Sequence, residues 1–139
     1  MANMTAKMVS AYLTADDFQH TLLGEDEDVI ETGMGGLDNI DHLELYLFFD
    51  EDGNYVHIRT KEYVKIPENL KEKIYPVLNE LNLNFRWCTF VINTDNELIV
   101  KTDAILDMDT CGEECKELIY RTVGICDEAY PTIMKALWA

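Results

Sequence analysis

Hydrophobic and polar residues alternate on both sides of a turn sequence in residues 43–61. The turn is Asp52-Gly53, which favours a two-residue hairpin connection because both central positions of that turn need a positive φ. The register that this turn predicts is Phe49 opposite Val56, Phe48 opposite His57, Leu47 opposite Ile58, Tyr46 opposite Arg59 and Glu44 opposite Lys61. One side of the hairpin is then apolar and forms core, whereas the other side carries aromatic and charged residues.

A second alternating stretch, residues 85–104, predicts another hairpin. Its turn sequence is Asp95-Asn96, and both residue types tolerate the left-handed region. A two-residue turn there pairs Val91 with Val100, Thr89 with Thr102 and Trp87 with Ala104 on one side, and Ile92 with Ile99, Phe90 with Lys101 and Cys88 with Asp103 on the other. The side that carries Phe90 and Cys88 is then mixed in polarity.

The N-terminal part of the chain predicts a short amphipathic helix followed by two weaker strands. Apolar residues recur at spacings of three and four from residue 4 to residue 13, as is typical of one face of a helix. This stripe consists of Met4, Met8, Val9, Tyr12 and Leu13. The helix is expected to end near Asp16, and residues 18–23 and 29–34 are the strand candidates.

Two further helices follow from the same periodicity. The middle one covers about residues 67–81, where Pro67 suits a first turn and Pro76 predicts a kink or a break because its ring crowds the preceding turn. The last begins after Thr110, the first residue of a capping sequence that ends at Glu113, and continues to the C-terminus.

The order of elements is helix, two strands, hairpin, helix, hairpin, helix. Hairpins imply antiparallel pairing, and helices with one apolar stripe must cover a sheet. The predicted class is therefore α+β, with an antiparallel sheet flanked by N-terminal, middle and long C-terminal helices. The 139 residues show no repeat and no linker composition, so we expect a single domain over residues 1–139.

The charge of the chain limits its partners. There are 27 acidic and 11 basic residues, giving a net charge of −16, and 13 of the acidic residues lie in residues 1–52. A field of that sign opposes binding to nucleic acids and to anionic membranes. The acidic runs are either solvated turns or a surface that attracts cationic partners. No apolar run reaches the length of a membrane helix and no signal peptide is evident, so a cytoplasmic location is expected.

The same order of elements carries a family resemblance. Four segments support it, namely VKIPENL at 64–70, LNELNLN at 78–84, FVINTDNEL at 90–98 and AYPTIMKALW at 129–138. Together they resemble the YbjN-like family, whose fold is similar to that of the class I chaperones of type III secretion. The resemblance implies a bacterial or archaeal cytoplasmic domain described as a sensory transduction regulator. Chaperones of that fold are acidic dimers that bind an extended protein segment, so a homodimer and a protein partner are expected.

Cys111 and Cys115 are the candidates for reactive chemistry. They lie four residues apart on the last helix, and the positive end of the helix dipole is expected to lower the pKa of the Cys111 thiol. The pair is either a set of structural thiols, a redox site or part of a metal site. The spacing differs from that of zinc-ribbon or thioredoxin-like sites, so no metal and no cofactor is predicted.

No nucleophile, metal or phosphate motif occurs in the chain, and no catalytic residue is predicted. The alternative to an interaction domain is a metal- or redox-responsive sensor that uses Cys111 and Cys115, and an enzyme with carboxylates assembled only by the fold is a third possibility. The leading hypothesis is a non-enzymatic protein-interaction domain, a regulator or chaperone-like binder of a protein segment. Its expected partner-binding residues are Tyr46, Phe48, Tyr55 and His57. Their face is covered either by the chain's own helix, by a second copy or by a partner segment.

Overall fold

The computed structural model describes residues 2–138, in which seven strands form one antiparallel sheet and three α-helices pack against it. The elements are α1 (Met4–Ala15), β1 (His20–Leu23), β2 (Val29–Gly35), β3 (His42–Phe49), β4 (Tyr55–Lys61), β5 (Val64–Lys65), a 3-10 turn (Glu68–Leu70), α2 (Lys71–Asn84), β6 (Thr89–Ile92), β7 (Glu97–Ile105) and α3 (Cys111–Trp138). The predicted class, α+β, and the predicted order of elements are confirmed; the short strand β5 was not expected.

The strands are ordered β1, β2, β3, β4 and β7 across the sheet, and β7 has two further partners. On the edge of β7 that faces β4, strand β5 pairs with residues 97 and 98, beyond the end of β4. On the other edge, β6 pairs with residues 98–101. Both α1 and α2 contact α3, and the three helices contact strands β1, β2, β6 and β7. We call the side of the sheet that faces the helices the inner face, and the opposite side the outer face.

The first hairpin has the predicted register. Strands β3 and β4 pair Phe49 with Val56 and, at their far end, Glu44 with Lys61. The connection itself differs from the prediction. The Gly53 N–H donates to the C=O of Asp50 at 2.9 Å, and Gly53 alone in this loop has a positive φ, of 72°. The loop therefore contains four residues, 51–54, and it keeps the register because it has the same centre as the predicted two-residue turn.

Helix α1 is attached to this loop. The side chain of Asn3 accepts the Ala6 N–H as an N-cap and also donates to the C=O of Asp50 at 2.7 Å. The Thr5 hydroxyl donates to the C=O of Gly53 at 3.0 Å. A Cβ atom at position 53 would collide with the Thr5 side chain. Glycine is thus required there both for its positive φ and for its close contact with α1.

The register predicted for the second hairpin is wrong by one residue. Phe90 pairs with Val100 and Ile92 with Leu98. The turn begins at Asn93, whose C=O accepts the Asn96 N–H at 3.2 Å, and Asn96 has a φ of 63°. A three-residue loop, 94–96, therefore replaces the expected two-residue turn.

This shift moves every side chain of β6 to the other face of the sheet. Phe90 is 2% exposed and Cys88 is also buried, both on the inner face with Val100. Trp87, expected opposite Ala104 on the other side, precedes the strand and is 58% exposed. Burial of the Phe90 ring explains why this register is the stable one.

The bounds of the helices are close to the predicted ones, but the buried side of α1 differs from the predicted stripe. Helix α1 buries Thr5, Ala6, Val9 and Leu13, whereas Met4, Met8 and Tyr12 of the predicted stripe are exposed. Small residues allow α1 to lie close to its neighbours, and a Cβ at Gly112 of α3 would meet the Tyr12 side chain. Helix α2 begins after the 3-10 turn, continues through Pro76 and ends at Asn84.

Helix α3 begins directly after Thr110, as predicted, and holds the connection between β2 and β3. The carboxylate of Asp127 accepts backbone N–H groups of Asp38, Asn39 and Ile40 at 3.2, 2.8 and 3.0 Å. Pro131 has no N–H for the C=O of Asp127, four residues earlier in the helix. The side-chain amide of Asn39 donates to that C=O instead, at 3.0 Å. One residue of α3 therefore fixes a loop of the sheet to the helical layer.

Candidate protein-binding surface

The four predicted partner-binding residues lie together on the outer face of the sheet. Strand alternation places Tyr46 and Phe48 of β3 on this face, with His57 and Tyr55 of β4 beside them. The ring centroids of Tyr46 and Phe48 are 5.7 Å apart, and those of Phe48 and His57 are 6.1 Å apart in a stacked arrangement. Tyr55 lies opposite Ile105 of β7. We call these four residues the outer aromatic face.

No helix in residues 2–138 covers the outer aromatic face. Phe48 is 37% exposed and Tyr55 is 54% exposed, although both are large apolar side chains. Of the three alternatives for what covers this face, the chain's own helix is ruled out for the described residues, because all three helices pack on the inner face. A contiguous apolar surface of this kind on a sheet is typical of a binding site.

The structure extends this surface with residues that the sequence did not single out. Leu23 of β1 pairs with Val29 of β2, which pairs with Phe48. At the other end Ile105 is 87% exposed. The sequence did not indicate Ile105, because the predicted hairpin ended at residue 104 and the pairing of β7 with β4, which places Ile105 beside Tyr55, joins segments distant in the chain.

Charged side chains surround the outer aromatic face, and several of them form ion pairs. His57 Nδ1 lies 2.7 Å from Asp103 Oδ1. Lys61 Nζ lies 3.3 Å from Glu31 Oε2 and 5.5 Å from the centroid of the Tyr46 ring. Hydrogen bonding to Tyr46 and then to Glu31 raises the pKa of Lys61 above its ordinary value. The lysine that borders the rings therefore stays charged and is already neutralised by carboxylates.

Cys111 and Cys115 lie on α3, and both are buried. Burial raises the pKa of the Cys111 thiol, and it raises the pKa of the Cys115 thiol to about 12. The predicted lowering by the helix dipole is wrong in direction, because loss of hydration outweighs the dipole at this position. Within residues 2–138 the four cysteines are free thiols, and no three His, Cys, Asp or Glu side chains are grouped to hold a metal ion. A redox role for the pair stays a prediction.

Comparison with known proteins places the chain in a family. The model of the YbjN family, described as "Putative bacterial sensory transduction regulator", matches residues 5–135. The chain belongs to the YbjN family. The resemblance found in the sequence is thereby confirmed, and the description of the YbjN family names a regulator rather than an enzyme.

A solved YbjN structure has the same fold. The "Crystal structure of YbjN, a putative transcription regulator from E. coli" matches with a TM-score of 0.62 at 7% identity, over 91% of each chain. At that identity the likeness concerns the fold alone. A search of the curated proteins gives no match. Among the helices of residues 2–138, none is both long and apolar enough to cross a membrane.

Proposed function

We propose that this YbjN-family chain is a non-enzymatic interaction domain, a regulator or chaperone-like binder that takes up a segment of another protein on the outer aromatic face. The observation that supports this function is the exposure of Phe48 and Tyr55 on a sheet face that no described helix covers. Burial of such rings provides the main favourable free energy of protein association. The protein-binding role expected from the sequence thus has a surface suited to it.

Charge indicates the chemistry of the partner segment. The chain carries a net charge of −16, and Lys61, which lies over the Tyr46 ring, is paired with Glu31 and Glu44. An apolar segment flanked by basic residues would be attracted to this surface and would bury its apolar side chains against Phe48. An acidic segment would be repelled.

A second copy of the chain is the alternative occupant of the outer aromatic face. The homodimer expected from the sequence would bring together two chains that each carry a net charge of −16, and their mutual repulsion opposes it. The mass of the protein by analytical ultracentrifugation at low and physiological salt tests this alternative. A monomer supports binding of a partner segment, whereas a dimer that Phe48→Ala abolishes would identify a second copy as the occupant.

Selection from a random displayed-peptide library tests the proposal directly. We expect the selected peptides to combine apolar residues with Lys or Arg, and to lose at least tenfold in affinity for Phe48→Ala and Tyr46→Ala. Tyr75→Ala is the matched control, because Tyr75 is half exposed on α2, away from the sheet. Peptides that bind all variants equally, or that are predominantly acidic, would contradict the proposed surface.

A further inference from the structure

One edge of β7 is open next to the outer aromatic face. Pairing between β6 and β7 ends at Thr89 and Lys101, and the preceding Trp87 has a φ of 76°, which turns the chain away from the edge. The Leu106 N–H donates to Asn54 O on the β4 side, at 2.8 Å. Because backbone groups alternate in direction along a strand, those of Asp103 and Ile105 point to the open edge. In the described part of the chain, no strand pairs with them there.

A groove of about 650 Å³ adjoins this open edge on the helical side. Its walls combine apolar and charged side chains from α1, β7, α3 and the segment that precedes β6. The apolar part is formed by Tyr12, Trp87, Ala104, Ile105, Leu118 and Tyr120. The charged part is formed by Glu113, Glu114, Lys116, Glu117 and Arg121. Aromatic walls with carboxylates at the rim are suited to a cationic side chain with an apolar stem.

The two cations of the groove are already neutralised. Lys116 Nζ lies 2.8 Å from Asp16 Oδ2, and Arg121 Nη2 lies 2.9 Å from Glu117 Oε1. Within residues 2–138, Glu113 forms no ion pair, so the groove keeps a negative charge. This charge favours an additional cation.

Arg121 shows which chemistry the groove accommodates. Its guanidinium carbon lies 5.2 Å from the centroid of the Trp87 ring while the same group pairs with Glu117. A guanidinium held between an indole and a carboxylate is a stable arrangement. Lys116 Nζ lies 5.8 Å from the centroid of the Tyr120 ring, so this ring already contacts a cation, and Glu113 offers a further carboxylate in the same groove.

We propose that an extended segment of the partner protein pairs as an added strand with Asp103 and Ile105, and inserts an arginine or lysine side chain into the groove beside Glu113. The inference deepens the proposed function and depends on its premise that the partner is a protein segment. Side chains of an added strand alternate in direction. Each residue next to the inserted cation would therefore point to the outer face, beside Ile105 and Tyr55, so the groove continues the outer aromatic face.

A short peptide of alternating sequence tests the inference. The probe is acetyl-Val-Arg-Val-Arg-Val-amide. The chain has two tryptophans, so the variant Trp138→Phe leaves Trp87 as the only source of tryptophan fluorescence. We expect a saturable change in Trp87 fluorescence with this peptide and none with the same peptide carrying Glu for Arg. Methylation of the amide nitrogens that face β7 should weaken binding at least tenfold, because it removes main-chain donors. No saturable change up to about 1 mM peptide would overturn the proposal.

Matched variants separate strand pairing from general attraction of a basic peptide. Ile105→Pro removes the N–H at the open edge without breaking a bond to β4, and should bind at least tenfold more weakly than Ile105→Ala, which keeps that N–H. Glu113→Gln should weaken binding several-fold, whereas Glu72→Gln, an equal loss of charge on exposed α2, should not. If Glu113→Gln and Glu72→Gln lose the same affinity for the peptide, the groove is not the cation site. If Ile105→Pro and Ile105→Ala bind the peptide equally well, and the methylated and unmethylated peptides also bind equally well, the added strand is contradicted.

The library peptides and these variants distinguish failure of the added strand and groove from failure of the outer aromatic face. Library peptides that depend on Phe48 but bind Ile105→Pro and Glu113→Gln normally would support the outer aromatic face and overturn the groove. Peptides that depend on Ile105 and Glu113 but not on Phe48 would support the groove and remove the outer aromatic face from the site.

Discussion

The two faces of the sheet are formed by alternate residues of the same strands, yet their environments differ completely. On the inner face Leu45, Leu47, Val56 and Ile58 are fully buried under the helices. On the outer face Phe48, Tyr55 and Ile105 keep more than a third of their surface in contact with solvent. Neighbours in sequence therefore serve different purposes, one side stabilising the fold and the other being available for binding.

The largest difference between the faces should be seen at alkaline pH. All four thiols, Cys88, Cys111, Cys115 and Cys126, have pKa values raised by burial, and the pKa of Cys115 is raised from 9.0 to about 12. In the unfolded chain the thiols ionise near pH 9, so the unfolded state loses protons that the folded state retains. The free energy of unfolding should fall by several kcal/mol between pH 9 and pH 12.

Urea titrations at intervals of pH from 7 to 11 measure this slope. Cys115→Ala should make it shallower, since one of the raised groups is removed, whereas Leu83→Ala, at an exposed site without a titratable group, should not change it. Thiol titration on the native protein at pH 8 adds a test of the redox hypothesis. Slow reaction of all four cysteines until the protein unfolds is expected, and rapid reaction of Cys111 or Cys115 alone would revive a redox site.

Truncation of an inner-face side chain should have the next largest effect. Leu47 is fully buried between the sheet and the helices, so Leu47→Ala leaves a cavity and should lower the free energy of unfolding by about 3 kcal/mol. Chemical denaturation followed by circular dichroism measures the change. A decrease in the free energy of unfolding of less than about 1 kcal/mol would mean that the helices do not bury the inner face of the sheet.

The attachment of the helical layer to the sheet should contribute less. Asp127→Ala removes the acceptor of three backbone N–H groups and should cost about 1.5 kcal/mol, because two of those bonds are exposed to solvent. Hydrogen exchange should become faster at the amides of Asp38, Asn39 and Ile40. Asp127→Asn keeps an acceptor oxygen and should show an intermediate loss of stability. If Asp127→Asn and Asp127→Ala lose the same stability, the effect is due to the charge of Asp127 rather than to its hydrogen bonds.

The smallest effect on stability should come from the outer face. Phe48→Ala removes a ring that is partly exposed and should lower the free energy of unfolding by about 1 kcal/mol or less. The same variant should lose at least tenfold in affinity for selected peptides. A stability loss as large as that of Leu47→Ala would show that the two faces are not distinct in role.

The two hairpins show how far local sequence determines register. At Asp52-Gly53 the loop proved longer than predicted, but a four-residue loop has the same centre as a two-residue one, so the pairing was right. At Asp95-Asn96 the side chain of Asn93 accepts the N–H groups of Asp95 and Glu97, and the loop starts one residue earlier, at residue 94. A three-residue loop has its centre on a residue, and every partner in β6 is therefore displaced by one.

The same distinction applies to the candidate surface. The identity of the aromatic residues on one side of β3 and β4 could be predicted, since it depends only on alternation around one turn. Their exposure could not, because it depends on which side the helices cover. The groove beside Trp87 could not be predicted from the sequence, because it depends on the register of β6 and on the packing of α3 against the end of β7, which are distant in the chain.

By itself the sequence determined the α+β class, the order of the helices and hairpins, the register of the first hairpin and the family, because each follows from local periodicity or from a recognisable run of residues. Only the tertiary structure decided that all helices lie on one side of the sheet, that the thiols of α3 are buried rather than activated, and that β7 has an open edge. These features depend on contacts between segments distant in the chain, where burial of side chains such as Phe90 outweighs local turn and dipole preferences.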